Sequence, residues 1–335
     1  MPKRIQFSAP GVTEICEYDL PELKPNEVRV KLHVSTISSG TERANLLGDP
    51  KLSIYGFKTV FPIYQGYSSA GVITEVGSEV PDLKVGDRVA LCWSTHSEFV
   101  TISHTNVYKL PDDVSFSDAA IYNIATFPLA AIRKCKLEIG ESAIVMGMGI
   151  LGLMALPLLK VAGAAPIIAV DPVKEKREKA LASGADYALD PFAPDFAETV
   201  KSLTNGGAKV GIEVTGIGAG LDGILDCMAR YGRVALLGCT RSSDFTIDYY
   251  MKVHGPGITL IGAHTAARPV QDSYDGWWTQ KDDVQSLIKL TQFGRIKLSD
   301  LIDEVHSVND AVPVFDRLKN EKSFPVVQFD WSDLK

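Results

Sequence analysis

The sequence predicts a mixed α/β protein in which an antiparallel barrel or sandwich precedes a doubly wound parallel sheet. Early in the chain, short strands such as "EVRVKLHVS" and "DRVALCW" are separated by turns rich in Gly, Pro, Asn and Asp, which is typical of antiparallel sheets. After residue 115, apolar β-runs such as "SAIVMGMG" and "PIIAVD" alternate with helical segments, which is typical of parallel strands joined by helices. The length of 335 residues favours about two domains.

The elements can be predicted in order along the chain. The strands expected in the first part are "KRIQFS", "EVRVKLHVS", "AGVITEVG", "DRVALCW", "HSEFVTIS" and "NVYKL". Next comes "SFSDAAIYNIATFPLAAIRKCKL", which has a helical period with Ser115 or Ser117 as its cap. The stretch 266–281, "AARPVQDSYDGWWTQK", breaks the later strand–helix alternation. After it the sequence predicts a helix, a short strand near "EVHSV", another helix and a last strand, "FPVVQFD".

Composition excludes several classes of partner. The net charge of −7 provides no basic field for nucleic acid or an anionic membrane surface. The apolar stretch "AIVMGMGILGLMALPLLKVAGAA" is interrupted by glycines, a proline and a lysine, so a buried strand–turn–helix is expected rather than a membrane span. Five scattered cysteines without C-x-x-C spacing, and an N-terminus without an apolar leader, predict a cytoplasmic protein with reduced thiols.

The segment "SAIVMGMGILGLM" carries the clearest functional motif. Gly147, Gly149 and Gly152 stand in G-x-G-x-x-G register between a predicted strand and helix, and Asp171 ends the next strand 19 residues after Gly152. The first glycine permits a tight turn, the second lets a pyrophosphate approach the backbone, and the third lets helix and strand pack closely. The free N–H groups of the helix N-terminus would then face the phosphates.

The acid after the second strand bears on the choice of cofactor. Asp171 would bond a ribose 2′-hydroxyl and repel a 2′-phosphate, which favours NAD over NADP. Lys174, Lys176 and Arg177 follow it and could soften that preference, or could simply form a solvated helix face. We therefore expect NAD.

Several segments resemble the medium-chain dehydrogenase/reductase superfamily, which includes the zinc-type alcohol and polyol dehydrogenases. They are "SSGTERANLLG" (38–48), "GYSSAGVITEVGSEVPDLKVGDRVAL" (66–91) and "VMGMGILG" (145–152), supported by "IEVTG" and "GRVALLG". The resemblance implies a Rossmann doubly wound parallel sheet at 123–266. It also implies a GroES-like β-barrel domain formed by 1–122 and 267–335. A homodimer is a further expectation from the resemblance.

The zinc ligands of that family have no counterparts in this sequence. Ser39, Tyr67, Ser68 and Tyr122 stand at or beside the family's ligand positions, and neutral hydroxyls bind Zn²⁺ poorly. His96 and His104 are conceivable substitutes, but lone histidines in a strand-rich segment are expected to be structural or exposed. The sequence therefore predicts no catalytic metal.

Without a Lewis acid, hydroxyl groups would have to activate the substrate oxygen. Tyr67 is the first candidate, because a phenol can donate to a ketone oxygen; alternatively it merely fills the empty metal pocket. The resemblance implies a proton relay beginning at Thr41, which could instead cap a turn. Glu42 would act as a base or hold a neighbouring cation, and Ser39 and Tyr122 complete the polar patch.

The resemblance also assigns binding residues. Thr126 would pack on the nicotinamide, and the ends of later strands would line the ribose and nicotinamide. The complete cofactor set is Gly147, Gly149, Ile150, Leu151, Gly152, Asp171, Lys176, Thr126, Thr215, Leu237, Gly238 and Ala263. Trp93 and Ser68 are assigned to the substrate pocket. Trp277 and Trp278 could stack on substrate or pack at an interdomain or dimer contact.

Taken together, these residues predict an NAD(H)-dependent, zinc-independent oxidoreductase that interconverts a secondary alcohol and a ketone on a sugar, polyol or glycoside. Two alternatives stay open at this point. One is a quinone or enone reductase using NADPH, and the other is a nucleotide-binding sensor without catalytic activity.

Overall fold

The computed structural model describes residues 1–49, 59–241, 243–321 and 323–334. Two compact units divide the chain. One contains Met1–Ile124 and Val284–Lys335, and the other contains Ala125–Asp283. We call them the barrel unit and the nucleotide unit. The predicted fold class, a Rossmann-type parallel sheet with a GroES-like β domain, is confirmed by the sheets described next.

The N-terminal part of the barrel unit is built from short strands. They are β1 (Lys3–Ala9), β2 (Val12–Glu17), β3 (Glu27–Thr36), β4 (Ile63–Tyr64), β5 (Ser68–Val76), β6 (Arg88–Cys92), β7 (Phe99–Ser103) and β8 (Val107–Lys109). Its helices are α1 (Ser39–Leu47) and α2 (Phe116–Ala119), and α3 (Tyr122–Lys134) begins here and continues into the nucleotide unit. Strands β3, β5, β6 and β8 pair antiparallel in that order. Helix α1 follows β3 in the chain, so its first turn lies next to the end of this strand.

The nucleotide unit holds a six-stranded parallel sheet in the order β11-β10-β9-β12-β13-β14. The strands are β9 (Ala143–Met146), β10 (Ile167–Val170), β11 (Tyr187–Leu189), β12 (Ala208–Glu213), β13 (Met228–Leu236) and β14 (Thr259–Gly262). The crossover helices are α4 (Ile150–Ala162), α5 (Lys174–Ala182), α6 (Phe196–Leu203) and α7 (Gly218–Asp226). The strand order reverses direction beside β9, and ligands of such sheets bind at that switch point, outside the carboxyl ends of the strands.

The C-terminal segment returns to the barrel unit. Its elements are α8 (Gln280–Gln292), β15 (Glu304–Ser307), α9 (Ala311–Asn320) and β16 (Val327–Asp330). Strand β16 pairs antiparallel with β3 and parallel with β15, so the end of the chain completes the barrel sheet.

Residues 267–283 lie in the nucleotide unit, whereas the sequence boundaries placed them with the barrel domain. The reason is a set of charged contacts in that segment. The Arg133 guanidinium lies 3.7 Å from the ring centre of Trp278 and pairs with the buried Asp283. The Lys134 ammonium lies 4.5 Å from the ring centre of Trp277. The tryptophan pair thus packs on cations of its own unit.

Among the described residues, no helix has both the length and the apolar character needed to cross a membrane. The apolar stretch considered above is instead β9, a turn and α4. Every residue of β9 is buried, and α4 ends at a left-handed Gly163.

Phe315→Ala should destabilise the barrel unit by about 3–5 kcal/mol, because the ring is fully buried and its removal leaves a cavity. Phe315 packs edge-on against Phe7 with ring centres 5.1 Å apart. The matched control is Phe293→Ala, at a ring that is 74% exposed, which should change stability little. Chemical denaturation of both variants measures the difference, and equal free energies of unfolding would contradict this account of the core.

Candidate functional site

The glycine turn between β9 and α4 is shaped by backbone contacts. Gly147 has φ +103°, in the left-handed region that favours glycine. A Cβ on Gly152 would lie 1.9 Å from the Gly147 carbonyl oxygen, so only glycine fits there. Gly149 is exposed, and a Cβ on it would meet nothing within 4 Å. The approach to the first turn of α4, where Ile150 and Leu151 lie, is therefore open for a ligand.

Asp171 follows β10 and is held beside this turn. One carboxylate oxygen accepts the Met148 N–H at 2.8 Å, and the other accepts the Val173 N–H at 2.9 Å. The Lys176 ammonium lies 3.9 Å from the same carboxylate. The Arg177 guanidinium donates to the Asp171 carbonyl oxygen at 2.7 Å, so it contacts the backbone of Asp171 and not its carboxylate. The carboxylate is thus fixed where a ribose would meet the turn, with one cation partly offsetting it.

Glu213, at the end of β12, brings three predicted cofactor residues together. Its buried carboxylate accepts the Thr215 N–H at 2.8 Å, and its carbonyl oxygen accepts the N–H groups of Leu237 and Gly238. Burial raises the pKa of Glu213, and the hydrogen bonds from Thr215 and Gly216 oppose that rise. A Cβ on Gly238 would lie 2.4 Å from the Gly216 nitrogen. The strand ends are therefore packed tightly beside the glycine turn.

A second group of side chains surrounds the end of β14, where Ala263 follows the strand. The buried Lys134 ammonium donates to the carbonyl oxygens of Gly262 and Ala267 at 3.2 and 2.5 Å. Burial first, and then the charge of Arg268, lower the pKa of Lys134 to about 8. Arg268 also donates to the hydroxyl of the fully buried Thr126 at 3.5 Å. Thr126, which is predicted to pack on the nicotinamide, thus lies beside the positive charge of Arg268.

In the barrel unit, Tyr67 is held by contacts on both its ring and its backbone. Its phenol donates a short hydrogen bond to the Ser38 hydroxyl. Its ring centre lies 5.7 Å from that of Trp93. The Tyr67 carbonyl oxygen accepts the Trp93 N–H at 2.8 Å and the Asn123 side-chain amide at 2.6 Å. The Ser38 N–H in turn donates to the Glu42 carboxylate at 2.8 Å.

Trp93 has a strained backbone. It has φ +62°, a region that bulky residues rarely adopt, and its side chain is 43% exposed. Such a conformation costs about 1–3 kcal/mol and persists where the surroundings require it, often at functional sites. An exposed aromatic ring that is held this way and contacts Tyr67 is a candidate ligand platform.

The remaining predicted catalytic residues are not all brought to Tyr67. Ser39 and Thr41 lie in the first turn of α1 and are partly buried. The Tyr122 hydroxyl instead lies near Thr291 of α8, although the two do not form a hydrogen bond of good geometry. Burial, the larger effect, raises the pKa of Tyr122 well above its usual range. In the part of the chain that is described, the buried Tyr122 and Ser68 hydroxyls have no hydrogen-bond partner.

The residues at the family's zinc positions do not fit zinc. They supply hydroxyl groups where Zn²⁺ requires thiolate, imidazole or carboxylate ligands. Within residues 1–49, 59–241, 243–321 and 323–334, no three His, Cys, Asp or Glu side chains are arranged to hold a metal ion. His96 is fully buried and bonds Glu42 and Ser35, while His104 begins a short 3-10 turn.

Sequence reasoning missed several residues of these sites, and Ser38, Glu213 and Arg268 show why. Ser38 could have been found, because it precedes α1 and stands four residues before an acid that can reach back to its N–H. Glu213 ends a predicted strand within "IEVTG", but nothing local showed that it would bond the following turn. Arg268 lies in the segment without predicted structure, and only the fold brings it to Thr126.

Comparison with known proteins shows the family to which the two units are similar. The alcohol dehydrogenase GroES-like domain matches residues 24–112, and the zinc-binding dehydrogenase family matches residues 151–276. D-guloside 3-dehydrogenase of Shigella flexneri is 28% identical over 324 residues, covering 90% of this chain and 92% of that protein. L-threonine 3-dehydrogenase of Thermococcus kodakarensis is 28% identical over an alignment of 359 residues, covering 94% of each.

A solved structure shares the fold. It is 2R,3R-butanediol dehydrogenase from Bacillus subtilis, with a TM-score of 0.82 at 23% identity, covering 98% of this chain and 99% of that chain. Because the family matches fall in both units and the relatives span nearly the whole chain, the protein belongs to the medium-chain dehydrogenase/reductase superfamily, as an alcohol dehydrogenase-like oxidoreductase of a family that binds a nicotinamide cofactor.

Proposed function

We propose that this protein is an NAD(H)-dependent, zinc-independent oxidoreductase that interconverts a secondary alcohol and a ketone on a sugar or glycoside. The observation that carries the proposal is the pairing of Tyr67 with Ser38 beside the exposed Trp93. This arrangement places a hydroxyl that can donate a hydrogen bond to a substrate oxygen next to an aromatic face on which the substrate can stack. The expected homodimer and the cytoplasmic location stay predictions.

NAD is favoured by the charge beside the glycine turn. Residues that would hold the cofactor are the open turn at Gly149, the N-terminus of α4 and the carboxylate of Asp171. A 2′-phosphate would meet that carboxylate in a buried position, where repulsion is screened less than in water. Lys176 offsets only part of the charge, because it approaches Asp171 from one side at 3.9 Å.

Activation of the substrate oxygen falls to hydroxyl groups. Bound nicotinamide would supply a hydride to a ketone, or accept one from an alcohol. In the reducing direction the Tyr67 O–H would donate its proton to the ketone oxygen as the carbon accepts the hydride, so that the products are a secondary alcohol and a Tyr67 phenolate, which regains its proton from solvent. The Ser38 hydroxyl, which accepts from Tyr67 in the free protein, can then turn and donate to the phenol oxygen.

The aromatic face bears on the substrate class. A sugar ring presents apolar C–H groups on its faces and hydroxyls at its edge, which suits a Trp face beside a hydroxyl donor. The relative named D-guloside 3-dehydrogenase, by its name, oxidises position 3 of a glycoside. Flat quinones and enones would also stack on Trp93, but the NADPH that such a reductase would use is disfavoured at Asp171. A sensor without catalysis would bind NAD and turn over no alcohol or ketone.

Tyr67→Phe should lower kcat at least about 100-fold with a modest effect on KM, because general acid catalysis by a positioned side chain contributes that much or more. A screen of sugars, glycosides, polyols and quinones with NAD and NADP identifies the assay substrate. Tyr64→Phe, a phenol on β4 whose side chain is exposed, is the control and should keep full activity. Unchanged turnover of Tyr67→Phe, or stoichiometric zinc that supports activity, would disprove this mechanism.

Trp93→Gly should raise KM for the substrate roughly tenfold or more while leaving stability within about 1 kcal/mol. Removing the ring abolishes the stacking surface, whereas relief of strain and the entropy cost of glycine nearly cancel. Tyr231→Gly is a matched control, since Tyr231 also has φ +62° and is 72% exposed. Steady-state kinetics and thermal unfolding test both variants. A large loss of stability with unchanged KM would make Trp93 a structural residue.

Asp171→Ser should raise the Kd for NAD about 10- to 100-fold and reduce the preference for NAD over NADP. It removes a charged hydrogen-bond acceptor, worth about 1.5–3 kcal/mol, and its repulsion of a 2′-phosphate. Asp190→Asn is the control, because Asp190 pairs with Arg177 and lies one strand further along. Isothermal titration with NAD and NADP measures both affinities. An unchanged ratio of the affinities for NAD and NADP would show that Asp171 is not the source of the preference for NAD.

A further inference from the structure

A chain of buried side chains lies behind the Tyr67 hydroxyl. The Trp331 indole N–H donates to the Ser35 hydroxyl at 2.8 Å, and Ser35 Oγ lies 2.8 Å from His96 Nδ1. His96 Nε2 lies 3.0 Å from Glu42 Oε2. All four side chains are at most 1% exposed, so water does not compete for these contacts.

The donors and acceptors in this chain can be assigned from one end. An indole N–H can only donate, so the Ser35 oxygen accepts from Trp331. We assign the Ser35 O–H as the donor to His96 Nδ1, which gives that hydroxyl both an acceptor and a donor partner. His96 is therefore assigned as the neutral tautomer with its proton on Nε2, which donates to the Glu42 carboxylate. Each polar side-chain atom of Trp331, Ser35, His96 and Glu42 has a hydrogen-bond partner in this arrangement.

The Glu42–His96 pair reaches Tyr67 along two routes. Along the first, the other Glu42 oxygen accepts the Ser38 N–H, and Ser38 Oγ accepts from the Tyr67 phenol. Along the second, His96 packs against the residue before Tyr67, since a Cβ on Gly66 would lie 2.7 Å from the His96 backbone nitrogen and 2.8 Å from Cγ of its ring. The pair therefore braces both the hydrogen-bond partner and the backbone of Tyr67.

We infer that Glu42 and His96 are positioning residues that orient the Tyr67 hydroxyl toward the substrate oxygen. The Glu42 side chain is fully buried and bonds Ser38 and His96, so we assign it this role and not that of the base considered from the sequence. The inference rests on the proposed function, in which the Tyr67 phenol acts on substrate.

A double-mutant cycle tests the inference. Glu42→Gln should lower kcat roughly tenfold in the otherwise native enzyme, in line with couplings inside one hydrogen-bond network. In the Tyr67→Phe background the same substitution should change kcat less than about twofold, because no hydroxyl remains to be oriented. A purely structural role would give the same loss in both backgrounds. The control is Glu304→Gln, which breaks another carboxylate–histidine contact in the barrel unit, at 2.7 Å, and should leave kcat unchanged.

Ser38→Ala provides a second variant if Glu42→Gln does not fold. It removes only the hydroxyl between the pair and Tyr67, and should give a similar loss that is not additive with that of His96→Asn. Equal losses with and without the Tyr67 hydroxyl, or a comparable loss in Glu304→Gln, would overturn the positioning role and leave the proposed function standing. Unchanged kcat in Tyr67→Phe would overturn the proposed function and the inference with it.

Discussion

The pairing of the last strand with the third is the contact on which the barrel unit depends. Strand β16 lies antiparallel to β3, and the side-chain amide of Gln328 donates to the Thr36 hydroxyl at 3.0 Å and to the Ser117 carbonyl oxygen at 2.8 Å. The backbone N–H of Trp331 donates to the His33 carbonyl oxygen at 2.9 Å. Strand β3 ends at Thr36 and α1 begins at Ser39. These contacts therefore fix the position of Ser38, whose hydroxyl accepts from the Tyr67 phenol. The contacts of Gln328 with Thr36 and of Trp331 with His33 join residues almost 300 positions apart, and such non-local contacts slow folding.

In the proposed mechanism, hydroxyl groups act in place of a metal ion, and this changes what the protein has to supply. A zinc ion polarises an oxygen through its positive charge, as a Lewis acid. A phenol is neutral, and its hydrogen bond weakens steeply with angle and distance. The contacts to the ring, carbonyl oxygen and hydroxyl of Tyr67 are consistent with this stricter requirement.

The extent to which the sequence predicted the structure differs between the two units. The glycine turn was predictable because each glycine meets a local backbone demand, such as the approach of Gly152 to the Gly147 carbonyl oxygen. The direction of the Tyr122 side chain was not, since its neighbour Thr291 is far from it in the sequence. The role of His96 was hidden for a similar reason: its partners Glu42 and Ser35 lie 54 and 61 residues away, and a lone histidine carries no local signal of them.

The strained conformation of Trp93 has an evolutionary consequence. Many single substitutions at this position, glycine and asparagine among them, would suit the backbone better than tryptophan. Neutral drift therefore favours loss of the ring, and only selection on what the ring touches opposes that loss. If Trp93 has the proposed role, the identity of residue 93 among close relatives records whether their ligands still require an aromatic face. Paralogues that changed substrate should reveal themselves there first.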